Sequence, residues 1–99
     1  MPTDPLTWHI KTVVDGTVSV AAATTLVLAA NESRVNAVFV NDSSEVIYLS
    51  RGNAAVVGRG IRLNANGGSY EIDASNLFVG AINGIATGAG SNLTVSEGV

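Results

Sequence analysis

Short apolar runs that alternate with polar residues, break at Gly, Asn, Asp or Ser, and then resume fill most of this sequence. Residues 61–72, IRLNANGGSYEI, show the pattern most clearly. Ile61 and Leu63 flank Arg62, and Tyr70 and Ile72 flank Glu71. Asn66-Gly67 lies between them and tolerates the positive φ that a tight reversal needs. A period of two sends successive side chains to opposite faces of a pleated strand, so each run buries one face and leaves the other wet.

The same reading extends along the chain. In IKTVVDGTVSVA, Asp15-Gly16 sits between two β-branched runs and predicts a hairpin, with strands at 10–14 and 17–21. Thr25 and Val27 predict a strand over 25–29 despite the alanines around them. RVNAVFVND reads as a strand with Val35, Ala37 and Phe39 on one face and Asn36, Val38 and Val40 on the other. Both faces are apolar, as in a strand that lies in a sandwich or beneath a partner. VIYLSR follows, with Ile47 and Leu49 opposite Val46 and Tyr48. GNAAVVGRG is a loop. LFVGAINGIA reads as a strand with Gly80 and Gly84 on one face, where another backbone or ring can approach closely. LTVSEGV is the last strand.

Eight or nine strands at this spacing make the chain all-β: a small antiparallel β-sandwich or barrel, such as a jelly roll. Pro2 and Pro5 keep residues 1–10 extended, so these read as an N-terminal arm, and residues 11–99 as a single β-sandwich domain. A chain of 99 residues fits one domain with a modest core. MPTDPLTWHIK has no charged segment followed by an apolar one, so no signal peptide is expected there.

Charge narrows the functional classes. Charged residues are 13% of the chain, against about 25% in an average soluble domain. Small apolar and hydroxyl residues take their place, which suggests that part of the surface is covered in an oligomer or larger assembly. Lys11, Arg34, Arg51, Arg59 and Arg62 are scattered and the net charge is -3. Nucleic acid is therefore not an expected partner. No apolar run is long enough to span a bilayer as a helix, so no membrane partner is expected either. There is no cysteine, which excludes disulfides and thiolate metal sites.

The candidate chemistry is thin. Gly58-Arg59-Gly60 lacks the Lys and the strand–turn–helix setting of a phosphate loop, so these glycines read as turns. Arg59, at a loop tip, reads as a partner-contact residue. His9 is the only histidine, and no G-x-S-x-G elbow accompanies it. Glu71 and Asp73 share the wet face of one strand, and Asp42 and Glu45 sit in a turn; neither pair has a metal-ligand pattern. No catalytic residue, cofactor or metal is expected. Phe39 and Tyr70 read as core, which leaves Trp8 and Tyr48 as the rings free to be exposed. The chain therefore reads as a non-enzyme.

From Val27 onward the segments VLAANESR, VFVNDSSEVIYLSRG, GIRLNANGGSYEI, LFVGAINGIATG and LTVSEG follow in an order that resembles virion structural proteins of tailed bacteriophages. Capsid decoration (cement) proteins and related head-fibre or tail modules are the nearest in kind. The resemblance implies a non-enzymatic β-sandwich or β-tulip-like module that binds the outside of an assembled capsid and decorates or stabilises it. It implies the major capsid protein as partner, a homo-oligomer with a trimer favoured, synthesis in the host cytoplasm and a final place on the virion surface. An extended arm suits strand addition, so Thr3, Leu6 and Trp8 are expected contacts together with Arg59. The alternative is a carbohydrate- or receptor-binding module of a phage fibre or tail.

Overall fold

The structure, a computed structural model, describes residues 10–99. Eight strands run in chain order: β1 (Val13–Val20), β2 (Thr25–Leu28), β3 (Asn36–Asn41), β4 (Ile47–Arg51), β5 (Ile61–Leu63), β6 (Ser69–Ile72), β7 (Ile82–Ala86) and β8 (Ser91–Gly98). They form two four-stranded sheets, ordered β1-β8-β3-β6 and β2-β7-β4-β5. Every pairing is antiparallel. The sheets pack face to face and do not close into a barrel.

The pairings nest. β4 pairs with β5, β3 with β6, β2 with β7 and β1 with β8. The chain is thus one long two-stranded ribbon whose tip is the β4–β5 connection. Rolling that ribbon brings β8 beside β3 and β7 beside β4. This is the jelly-roll order, and it accounts for the alternating sequence, since each strand gives one face to the layer between the sheets.

That layer contains Val20, Val27, Ala37, Phe39, Ile47, Leu49, Leu63, Ile72, Ile82, Ala86, Leu93 and Val95, all buried. Each large member stabilises the fold by about 1.5–3 kcal/mol relative to exposure. Phe39 and Tyr70 stack there across the β3–β6 pair, ring centroids 6.3 Å apart. The expected faces of β3, β4, β5 and β6 match the observed burial. Asn66 and Gly67 take φ values of 59° and 118°, the reversal expected between β5 and β6.

Two expectations fail. Asp15-Gly16 makes no turn: β1 runs straight through it, with Asp15 opposite Ser96 and Gly16 opposite Val95. Eight consecutive cross-strand partners on β8 outweigh the local turn preference. The strand expected at LFVGAINGIA begins only at Ile82. Gly80 precedes it, and a Cβ there would strike the Phe78 ring. Gly84 does lie in β7, but what approaches it is the core: Val27, Leu49 and Val20.

Two polar side chains bolt the ends of β3. Arg34, 1% exposed, donates from Nη1 to the carbonyls of Phe78 (2.8 Å) and Gly80 (2.9 Å) and from Nη2 to that of Ala29 (2.6 Å), while Nε meets Glu97 Oε2. At the other end Asn41 is fully buried, and its Nδ2 donates to the carbonyls of Glu45 (2.7 Å) and Leu63 (3.0 Å). Ser43 Oγ donates to Asn41 Oδ1 at 2.6 Å. Among the described residues no buried side-chain nitrogen or oxygen lacks a partner.

Candidate interaction surfaces

Among the described residues the titratable side chains do not converge. Asp73 Oδ1 accepts from the Ser75 hydroxyl (2.6 Å) and the Ser75 N–H (2.8 Å), which holds its carboxyl below the ordinary aspartate range against a small opposing desolvation. This is a turn lock. Glu45 Oε1 accepts from Thr87 Oγ1 at 2.9 Å. Among the described residues no three His, Cys, Asp or Glu side chains stand close enough to hold a metal ion. His9 lies outside the described residues.

The described rings are occupied. Phe39 and Tyr70 belong to the core, and Phe78 covers Gly80. Tyr48 is half-buried beneath the Arg62 guanidinium, whose carbon lies 6.0 Å from the ring centroid. Among the described residues no two rings form an open platform of the kind a sugar would stack on.

Among the described residues three surfaces stand out, the first being the solvent face of the β1-β8-β3-β6 sheet. Cross-strand register builds it in rows: Thr17, Thr94 and Val40 form one, and Asp15, Ser96 and Val38 the next. These small β-branched and hydroxyl side chains leave a shallow groove of about 500 Å³. Val38 and Val40 line it because β3 is apolar on both faces. Charge appears at Asp15 and at Glu71, which lies opposite Val38.

The second surface is the ribbon tip, residues 52–60. The Ala55 N–H donates to Thr24 Oγ1 (2.8 Å) and Asn83 Nδ2 to the Asn53 carbonyl (2.7 Å), and these bonds pin the loop to its own sandwich. Ala55 is buried, whereas Val56 and Val57 are each about half exposed. Arg59 is exposed beside them, next to a cavity of about 410 Å³ also lined by Ser50, Asn53, Ala54, Val56 and Gly60. The third surface is β1, where Val13 is 52% and Val14 64% exposed.

Of the expected contacts, Arg59 stands on the ribbon tip, and Thr3, Leu6 and Trp8 lie outside the described residues, as does most of the expected arm. Sequence reasoning missed Arg34 and Asn41 as buried residues. Asn41 had a signal, because it shares the parity of Ala37 and Phe39 and so must point inward. Arg34 had none locally, since its partners lie up to 63 positions away. Comparison with known proteins finds no matching family model, no matching curated protein and no matching solved structure.

Proposed function

We propose that this chain is a non-enzymatic virion structural protein of a tailed bacteriophage. It binds the outside of an assembled capsid, with the major capsid protein as partner, and decorates or stabilises the shell. It acts as a homo-oligomer, is made in the host cytoplasm and ends on the virion surface. The observation that carries this reading is the groove lined by Thr17, Thr94, Ser96, Val38 and Val40 on the outer sheet face. A wide, shallow, charge-poor surface suits a protein partner better than a small ligand, which needs a concave pocket with convergent polar groups. The Arg59 loop, held rigid by Thr24 and Asn83, adds a second contact at low entropic cost. The jelly roll agrees by analogy, since that fold recurs in capsid proteins, although lectins use it too.

The mechanism is linkage. A ligand that binds only the mature spacing of neighbouring capsid subunits stabilises that spacing by mass action, and many copies sum weak contacts. Sedimentation with expanded and unexpanded shells of the encoding phage tests it. The protein pellets with expanded shells at micromolar concentration and raises their disruption temperature. If it stays in the supernatant with both, this reading fails.

A further inference from the structure

Among the described residues the jelly roll leaves four edge strands, and three are blunted. β2 has four residues and a register shift between Leu26 and Leu28, β5 has three residues with Arg62 at its centre, and β6 has four with Glu71. Short length, bulges and charges are what keep sheet edges from pairing with other chains. β1 is different. It runs eight residues without bulge or proline, carries one charge at Asp15, and exposes Val13 and Val14.

The direction of the β1 groups that do not bond to β8 follows from the ladder. Thr12 and Val99 exchange both backbone hydrogen bonds, Thr12 N–H to the Val99 carbonyl at 3.0 Å and Val99 N–H to the Thr12 carbonyl at 2.9 Å. Antiparallel ladders alternate, so Val14, Gly16, Val18 and Val20 also bond to β8. Val13, Asp15, Thr17 and Ser19 therefore aim their N–H and C=O groups away from the sheet.

We propose that this edge pairs with the β1 of a second copy, antiparallel about a twofold axis at Gly16, to make one continuous eight-stranded sheet. In that register Val13 faces Ser19 of the other copy and Asp15 faces Thr17. All four outward residues of each strand are engaged, with about eight hydrogen bonds. On the other face Val14 meets Val18, which covers its exposed side chain, and Gly16 meets Gly16. Sliding by two positions about Asp15 would set that carboxylate against its own copy, a like-charge pair directly opposite. Sliding the other way, about Thr17, would set Val13 opposite Ala21, beyond the end of β1, so the Gly16 register engages the most outward groups. The twofold also distinguishes this pairing from the trimer that the resemblance implies.

The test uses the full chain. Wild type runs at twice the monomer mass by light scattering. Thr17→Pro removes an outward N–H and leaves the β8 ladder whole, since proline is tolerated on the solvent side of an edge strand. It runs at the monomer mass with an unchanged far-ultraviolet spectrum. Gly16→Cys introduces the only cysteine, and a Cβ at Gly16 meets nothing within 4 Å in a single copy. Facing Cα atoms about 4.5 Å apart permit a disulfide. With a mild oxidant Gly16→Cys therefore links to a covalent dimer, and Asp15→Cys does so far less. A wild type of one or three chains, or Asp15→Cys linking as well as Gly16→Cys, overturns the proposal. The pairing does not rest on the capsid reading: a dimer that ignores shells defeats only that reading, and a trimer that pellets with them defeats only this one.

Discussion

Arg34 Nε donates to Glu97 Oε2 at 2.7 Å, in a pair whose arginine side chain is fully buried and whose glutamate is 16% exposed. The guanidinium spends its remaining donors on carbonyls of Ala29, Phe78 and Gly80. One side chain thereby closes the β2–β3 and β6–β7 connections onto β8.

Arg34→Ala should cost about 3–5 kcal/mol, because it leaves a partly buried carboxylate and three carbonyls without their donor. Arg34→Lys should recover only part of this, since one ammonium cannot reach the positions of a planar fork. Urea unfolding of both variants measures the difference, and equal midpoints for Arg34→Lys and wild type would contradict it.

Asn41→Leu should destabilise by about 1–3 kcal/mol despite its similar size, because the carbonyls of Glu45 and Leu63 lose their donor. Amide exchange should quicken first around residues 42–46 and 63, where the β3–β4 turn and β5 are tied together.

Gly60 takes a φ of 83°, and a Cβ there would strike the Leu49 carbonyl. Gly60→Ala should therefore cost more than Gly90→Ala, which has a similar φ of 74° and open space. Thermal unfolding of the two variants separates contact from backbone strain, which both share.

Asp73 should titrate below the ordinary aspartate value of 3.8. Its stabilising contribution is then present above that pH and lost as pH falls through the lower folded value. Carboxyl-carbon NMR follows it directly. Ser75→Ala, which removes the hydroxyl donor, should move the midpoint back up.

The sandwich was legible in the sequence because period-two alternation reports burial directly, as at Ile47 and Leu49 or Ile61 and Leu63. Asn66-Gly67 was legible because its turn is local. Asp15-Gly16 carries the same local chemistry and misleads, since a partner strand some 80 positions away decides its conformation. Long sequence separation also hid Arg34, whose burial depends on four carbonyl and carboxylate oxygens from three other parts of the chain. The candidate surfaces were legible only in outline: apolar residues on both faces of β3 marked the groove on the outer sheet, while the edge position of β1 needed the strand order.

The nested pairing also makes one order of assembly entropically cheap. Joining β4 to β5 closes a short loop, and each later pair then closes only the small loop left by the one inside it, so the entropic cost stays low if stitching starts at mid-chain. In that order β1 meets β8 last, so the rim of the outer sheet becomes rigid only once the rest of the sandwich is in place.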